Sequence, residues 1–195
     1  MPIKAILFDC FGVLLGNTLQ QWTSQLSPED AETFLALTYS ADKGVISEEE
    51  ATIERAALLG ISPRALTDGF AAGEVPNIQL MDAIKILKQT YKIGLLSNIH
   101  SKERIASRLP AGVLDELFES ITISGDLGII KPDPHIYEYA AHSLGVLPEE
   151  CVMIDDVGRF CEGARAVGMR AVQFQTTAQD MADLRQILDE VPNTV

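Results

Sequence analysis

The sequence predicts an α/β fold in which a parallel sheet is wrapped by helices and carries a small all-helical insertion. Short apolar runs recur along the chain, and helical patterns separate them. The first run, Ile3–Phe8, is rich in Ile and Leu and is broken only by Lys4, as expected for a strand buried on both faces. Strands that alternate with helices favour a parallel sheet. The later strand-like runs are Ile93–Leu96, Ile121–Ile123, Val152–Ile154 and Ala171–Phe174.

Helix signals fill the intervals between these runs. Leu80 and Ile84 fall on one apolar helical face ahead of the second run. Asp133 followed by Pro134 is typical of a helix N-terminus, and Gly145 is expected to end that helix. The helices therefore lie where crossover connections between parallel strands are needed.

The stretch from residue 16 to residue 76 departs from this alternation. It contains helix signals throughout, and the segments Ser27–Asp30 and Ser47–Glu50 both have the pattern of a helix start. We therefore predict an α/β core domain formed by residues 1–15 and 77–195, and a helical cap domain formed by residues 16–76. The expected position of this insertion is over the carboxyl edge of the sheet.

Composition and charge exclude several classes of protein. A net charge of −13 disfavours general binding to nucleic acid. No apolar run approaches the ~18 residues of a membrane span, and Asp9 interrupts the N-terminal apolar stretch, which lacks the cleavage site of a signal peptide. The three cysteines lack metal-binding spacing and cannot all pair, as expected in a reducing cytoplasm (Cys10, Cys151 and Cys161). We expect a cytoplasmic protein without a membrane or nucleic-acid partner.

Charged and polar residues follow four of the predicted strands. Each one alone has an ordinary explanation as a turn, capping or surface residue. In a parallel sheet, however, the carboxyl ends of the strands share one edge, where ligands bind. Three carboxylates in one crevice are strongly unfavourable without a cation, and Mg²⁺ with oxygen ligands is the simplest solution. The residues are Asp9 after the first strand, Ser97 and Asn98 after the second, Lys131 after the third, and Asp155 and Asp156 after the fourth.

The segments that contain these residues resemble the four motifs of the haloacid dehalogenase superfamily. The resemblance covers essentially the whole chain, and the insertion lies where the first type of cap inserts in that family. It implies a Rossmann-like sheet and a Mg²⁺-dependent phosphatase that acts on a small phosphorylated metabolite. The segments are Phe8–Leu14, Leu95–Asn98, Gly128–Pro134, and Met153–Asp156 with Glu162–Arg165.

The same resemblance implies a nucleophile and a metal site. Asp9 would attack phosphorus and form an aspartyl-phosphate. Mg²⁺ would be held by Asp9, by the backbone carbonyl of Phe11 and by Asp156. Asp155 would orient a metal-bound water.

It also implies a phosphate-binding set. Ser97 and the backbone N–H of Asn98 would bind phosphoryl oxygens. Lys131 would balance charge between the nucleophile and the phosphate, which is the electrostatic part of phosphoryl transfer.

Phe11 departs from the family pattern. Most phosphatases of the family carry a second Asp at this position, which serves as general acid and base. Loss of such a group typically costs about 10²–10⁴ in rate, and the rate should then depend steeply on leaving-group acidity. His100 is the candidate replacement from the sequence, although an exposed loop histidine is the more ordinary interpretation.

Two alternative functions follow from Phe11. One is a catalytically weak or non-enzymatic binding relative. The other is a metal-independent 2-haloacid dehalogenase, a class that has Tyr at this position. Those enzymes have a Ser-Ser pair where this chain has Asp155 and Asp156, and they have an Asp where this chain has Phe160.

The resemblance implies that the cap determines which substrate is bound. The insertion contains no recognisable substrate motif. The polar and aromatic residues that are candidates for substrate contact are Trp22, Tyr39, Lys43, Arg55 and Arg64.

Overall fold

A five-stranded, entirely parallel sheet forms the centre of the molecule in the computed structural model. The structure describes residues 1–189, without the side chains at 178–180, 187 and 189; residues 190–195 of the predicted core domain lie outside it. The strand order is β3-β2-β1-β4-β5, which confirms the predicted α/β fold. The strands are β1 Ala5–Phe8, β2 Lys92–Ser97, β3 Ser120–Ile123, β4 Cys151–Asp155 and β5 Arg170–Gln173.

The helices follow the predicted distribution. Four of them occupy the insertion, and the others connect the strands or follow the last one. Within residues 1–189, no helix is long and apolar enough to cross a lipid bilayer. The helices are α1 Leu19–Thr23, α2 Pro28–Asp42, α3 Glu48–Leu58, α4 Pro63–Gly73, α5 Ile78–Leu87, α6 Lys102–Ala106, α7 Val113–Leu117, α8 Ser124–Leu127, α9 Pro134–Ser143, α10 Gly158–Ala166 and α11 Thr177–Asp189.

Strand β1 lies at the middle of the sheet and packs on both faces. Ile6 and Phe8 point into one apolar cluster, and Ala5 and Leu7 point into a second one on the opposite face, as the period of two in a strand requires. Every residue of β1 is buried. The residue that follows β1 therefore has a position fixed from both sides.

The insertion has its own small core and its own helix caps. The Ser27 side chain accepts a hydrogen bond from the backbone of α2, and Ser47 forms a capping box with Glu50 at the start of α3, which confirms both predicted helix starts. Phe34 and Leu66 are fully buried between the helices. The division into a core domain and a cap domain at residues 16–76 remains a proposal.

Two antiparallel chain segments connect the insertion to the sheet. The Gly16 amide donates to the Val75 carbonyl at 3.0 Å, and the Asn77 amide donates to the Leu14 carbonyl at 2.9 Å. A Cβ atom on Gly16 would lie 2.1 Å from the Gly73 carbonyl oxygen, so this close approach requires glycine. The two segments leave the sheet at its carboxyl edge, beside the end of β1.

Leu66→Ala should lower the free energy of unfolding by about 2–5 kcal/mol, because it opens a cavity in the small core of the insertion. Chemical denaturation measures this change. Ile53→Ala is the matched control, since Ile53 lies on α3 with 50% of its surface exposed, and its effect should stay within about 0.5 kcal/mol. Equal effects of the two substitutions would contradict a packed core in the insertion.

Candidate active site

The carboxyl ends of β1 and β4 place three acidic side chains together. Phe8 lies opposite Ile154 in the sheet register, and the Asp9 amide donates to the Ile154 carbonyl at 2.8 Å. Asp9 therefore leaves the sheet beside Asp155. Carboxylate oxygens of Asp9, Asp155 and Asp156 all lie within 4.8 Å of one another. The structure thus brings together the three acids that the sequence selected.

Lys131 lies in the middle of this acidic cluster. Its ammonium Nζ is 2.8 Å from Asp9 Oδ1 and 2.6 Å from Asp155 Oδ2, and it donates to the Leu96 carbonyl at 3.2 Å. The Lys131 side chain is fully buried, so all three of its donors are directed at the ends of β1, β2 and β4. It is a core residue rather than a solvated surface lysine.

Asn98 fixes the loop that carries Lys131. Its side-chain Oδ1 accepts from the Lys131 amide at 2.8 Å, and its Nδ2 donates to the Lys131 carbonyl at 3.1 Å. Because the side chain of Asn98 is engaged in this way, its backbone N–H is the group it could offer to a ligand. The peptide bond between Lys131 and Pro132 is cis.

Ser97 ends β2 with a buried hydroxyl. Its Oγ has no hydrogen-bond partner among the described residues, and the same holds for the buried Asp156 Oδ1. Buried polar atoms are normally hydrogen-bonded, so unpartnered ones in a crevice indicate a ligand position. Asn17, at the start of the insertion, donates to the other oxygen of Asp156 at 3.3 Å.

The charges of the cluster are not balanced by Lys131 alone. Burial raises the pKa of Asp9 to about 8; the Lys131 ammonium opposes this rise, and the Asp155 and Asp156 carboxylates increase it. Burial and the charge of Asp155 also raise the pKa of Asp156. For Lys131, burial lowers the pKa, but the Asp155 and Asp9 carboxylates outweigh burial and raise it. A bound cation would relieve this repulsion, and the donors are the hard oxygens that such ions prefer.

The turn after Asp9 brings its backbone close to Asp156. Gly12 has a φ of +93°, and a Cβ atom there would lie 2.1 Å from Asp156 Oδ2. The Leu14 and Leu15 amides both donate to the Cys10 carbonyl, and the Gly12 amide donates to the Leu15 carbonyl. None of these bonds uses the Phe11 carbonyl, which is the group predicted to contact the metal.

The Phe11 side chain packs beside a buried ion-pair cluster. The Arg104 guanidinium lies 5.6 Å from the centre of the Phe11 ring. Glu74, at the end of the insertion, accepts from Arg104 at 2.5 and 2.7 Å and from Arg108 at 2.7 Å. The position where the family pattern would have an acid is therefore apolar and is bordered by an arginine.

A cavity of about 140 Å³ lies between the sheet edge and the insertion. The predicted site residues Asp9, Phe11, Ser97, Asn98, Lys131 and Asp156 contribute to its wall on the sheet side. Asp155 is fully buried behind Lys131 and is not among the lining residues. From the insertion and its two connections, the lining residues are Asn17, Thr18, Leu19, Thr38, Tyr39, Asp42, Glu48, Arg55, Phe70 and Glu74.

The five candidate substrate contacts divide into two groups. Tyr39 and Arg55 line the cavity. The Arg55 guanidinium is bonded to Glu48 at 2.5 Å and to Thr38 at 3.2 Å, and Arg159 stacks on the Tyr39 ring and donates to its hydroxyl. The remaining three do not line the cavity: Trp22 packs in the core of the insertion, and Lys43 and Arg64 are exposed.

His100 does not occupy the position of a proton donor. Among the described residues, those that line the cavity do not include His100, whose Nδ1 lies 3.7 Å from Glu48 Oε2. Burial lowers the pKa of His100, which disfavours the protonated ring. The sequence-based hypothesis for a replacement acid therefore finds no support in the geometry.

Of the cavity residues that come from the insertion, sequence reasoning identified Tyr39 and Arg55 but not Asn17 or Asp42. Asn17 contacts Asp156 across 139 positions of the chain, and Asp42 is one acidic residue among several on α2. Neither carries a local motif, so only the docking of the insertion onto the sheet reveals them. For Asp42, the available sequence signal was its place at the end of a helix in the insertion that is expected over the carboxyl edge of the sheet.

Comparisons with known proteins identify the family of this fold and site. A family model described as haloacid dehalogenase-like hydrolase matches residues 3–168. A phosphatase from Mycobacterium tuberculosis is 34% identical over 105 residues, which are 50% of this chain and 48% of that protein. The chain spans about half the length, or less, of the curated relatives that it matches.

Solved structures with the same fold cover nearly the whole chain. A predicted HAD-like family hydrolase from Porphyromonas gingivalis superposes with a TM-score of 0.76, 24% identity and coverage of 98% of this chain and all of that one. A HAD family enzyme from Bacteroides thetaiotaomicron, solved with magnesium and inorganic phosphate, gives a TM-score of 0.70, 22% identity and coverage of 90% and 96%. Both support the Rossmann-like architecture and the helical insertion.

Lys131→Met should lower the free energy of unfolding by about 3–5 kcal/mol, because it leaves buried carboxylates of Asp9 and Asp155 without their partner. Urea denaturation measures this loss. Lys43→Met is the control, since Lys43 is exposed, and its effect should stay within about 0.5 kcal/mol. An unfolding free energy that Lys131→Met leaves unchanged would show that the buried ion pairs do not stabilise the fold.

Proposed function

Because the chain belongs to the haloacid dehalogenase-like hydrolase family, we propose that it is a Mg²⁺-dependent phosphohydrolase acting on a small phosphorylated metabolite. The observation that carries this proposal is the cluster of Asp9, Asp155 and Asp156, two of which contact the Lys131 ammonium, at a sheet edge with an unpartnered serine hydroxyl. A phosphatase relative and a neighbouring structure with magnesium and phosphate are consistent with it. The cavity of about 140 Å³ favours a small substrate.

In the proposed reaction, Asp9 attacks the phosphorus atom and forms an aspartyl-phosphate, which water then hydrolyses. Lys131 lies 2.8 Å from Asp9 and offsets charge between this carboxylate and the phosphoryl group. The Ser97 hydroxyl, which has no hydrogen-bond partner among the described residues, and the Asn98 backbone N–H would donate to the phosphoryl oxygens. The arrangement is one of positioning and charge neutralisation, which phosphoryl transfer chiefly requires.

The proposed metal site consists of Asp9, the Phe11 carbonyl and Asp156, with Asp155 in support. Mg²⁺ would neutralise charge on the phosphoryl oxygens and hold them in line for attack. The unpartnered Asp156 Oδ1 and the raised pKa values of Asp9 and Asp156 fit such an ion. Asp155 keeps Lys131 in place and accepts from the Val157 amide at 2.9 Å, so its role is to orient the residues around the ion.

The dehalogenase alternative is disfavoured by the charges of the site. A metal-free crevice with three carboxylates would repel a haloacid anion. Phe160 stands where those enzymes have an Asp, and its ring lies 5.1 Å from the Lys131 ammonium.

A cytoplasmic location is a further proposal, supported by three buried cysteines that form no disulfide.

Removal of the metal should abolish activity, because Lys131 alone does not balance the three carboxylates and the substrate. Hydrolysis of 4-nitrophenyl phosphate should stop in excess EDTA and return with Mg²⁺. Asp156→Ala should raise the Mg²⁺ concentration needed for half-maximal rate by about 10-fold or more, whereas Asp82→Ala, on an exposed face of α5, should not. Full activity in EDTA would overturn the metal-dependent mechanism.

Asp9→Asn should reduce turnover by about 10³-fold or more, because the amide keeps the shape of the side chain but does not attack phosphorus. Circular dichroism should show an unchanged fold, and Asp82→Asn makes the same chemical change at an exposed position as a control. Retention of a substantial fraction of turnover would show that Asp9 is not the nucleophile. A wild-type protein that binds phosphate but hydrolyses no ester would support the non-enzymatic alternative.

A further inference from the structure

The cavity contains a carboxyl group that the proposed reaction does not yet use. Asp42 is the last residue of α2, it is 7% exposed, and it lines the same cavity as Asp9 and Phe11. Among the described residues, no hydrogen bond or ion pair engages its carboxyl oxygens. A carboxyl group that lines a cavity and makes no hydrogen bond to the protein is free to contact a ligand.

Each of the other acids in the cavity wall has a hydrogen-bond partner or a place in the proposed metal and nucleophile site. Glu74 accepts hydrogen bonds from two arginines, Arg104 and Arg108. Glu48 accepts from Arg55 at 2.5 Å. The cluster of Asp9 and Asp156 belongs to the proposed nucleophile and metal site. Asp42 is therefore the lining acid that remains available to a leaving group.

The backbone of Asp42 is fixed to the sheet although the residue belongs to the insertion. The buried Ser124 hydroxyl donates to the Asp42 carbonyl at 2.7 Å and accepts from the Ile99 amide at 2.8 Å. Ile99 lies two residues beyond Ser97, the proposed phosphate-binding hydroxyl. Ser124 thus ties the end of α2 to the end of β2, and the position of Asp42 relative to the phosphate site follows the sheet.

The surroundings of Asp42 favour the protonated acid. Burial raises the pKa of Asp42 well above its usual range, and the charges of Glu48 and Asp9 add to the rise, while Arg55 and Lys131 oppose it. A carboxyl group whose pKa is raised keeps its proton to a higher pH, which suits it to donate that proton. Phe11 leaves the usual position of this proton donor apolar.

We infer that Asp42 is the general acid and base of this chain, supplied by the insertion in place of the missing acid at Phe11. This inference rests on the proposed phosphohydrolase function. As Asp9 forms its bond to phosphorus and the bond from phosphorus to the leaving oxygen breaks, that oxygen takes the proton of the Asp42 carboxyl. In the second step a water attacks phosphorus and gives its proton to the Asp42 carboxylate, which regenerates Asp9 and the acid.

This assignment changes the expected dependence on the leaving group. The sequence alone, with Phe11 and no other acid, predicts a steep dependence on leaving-group acidity. With Asp42 as the acid, the wild-type rate should vary little along a series of aryl phosphates. The Asp42→Asn variant, which lacks the acid, should show the steep dependence on leaving-group acidity. A residue that only supports the fold would change the rates for all esters by the same factor.

The test measures kcat/KM with Mg²⁺ for the full chain on 4-nitrophenyl phosphate, phenyl phosphate and a simple alkyl phosphate. Asp42→Asn should lose about 10²–10⁴-fold on the phenyl and alkyl esters and less than about 10-fold on 4-nitrophenyl phosphate, whose leaving group needs no proton. Glu48→Gln, the same change at a second carboxyl of the cavity, should lower all three rates by one common factor. Activity of Asp42→Asn on 4-nitrophenyl phosphate also reports that the variant is folded.

The outcomes separate the two proposals. Equal losses on all three esters in Asp42→Asn, including complete loss, would overturn Asp42 as the acid and leave the phosphohydrolase function in place. A steep leaving-group dependence in the wild type would overturn the role of Asp42 in the same way. A wild type that hydrolyses none of the esters would instead overturn the proposed function.

Discussion

The buried ammonium of Lys131 is the group on which the rest of the site depends. It lies 2.8 Å from Asp9 and 2.6 Å from Asp155, and neither carboxylate has another cationic side chain at such a distance within the described residues. Burying a charge is unfavourable unless it is paired and hydrogen-bonded. Sheet pairing brings the ends of β1, β2 and β4 together, and Lys131 offsets the negative charge that collects there. Asn98 holds the Lys131 backbone in this position.

Most of this arrangement follows from the sequence because it is local to strand ends. A parallel sheet collects at one edge the residues that follow its strands, so the positions of Asp9, Ser97 and Asp155 can be predicted once the strands are recognised. The same reasoning does not predict contacts that depend on how the insertion packs against the sheet. The bond from Asn17 to Asp156 and the bond from Ser124 to Asp42 each join distant parts of the chain, and no spacing in the sequence encodes them.

The sequence context also did not predict the burial and the contacts of three single residues. Lys131 in isolation has the pattern of a solvated lysine, and its complete burial depends on the two acids it contacts. His100 closely follows Ser97 and Asn98, which are proposed to bind phosphate, yet its Nδ1 lies 3.7 Å from Glu48 on α3. Asp42 shows the converse, since an acid at the end of a helix is ordinarily solvated, and here it is buried and its backbone is bonded to Ser124.

The proposed proton donor, Asp42, lies on the insertion, and this has a consequence for the proposed catalytic cycle. Asp9, Ser97 and Lys131 all lie outside residues 16–76, and the Lys131 ammonium contacts Asp9 and the β2 end directly. Asp42 belongs to α2, but the Ser124 hydroxyl fixes its backbone to the β2 edge. If α2 moves away to admit substrate or release product, this hydrogen bond must break and the acid must leave with the helix. In the proposed mechanism, therefore, the chain can bind phosphate with the insertion open but can protonate a leaving group only with the insertion docked, which couples proton transfer to exclusion of water from the site.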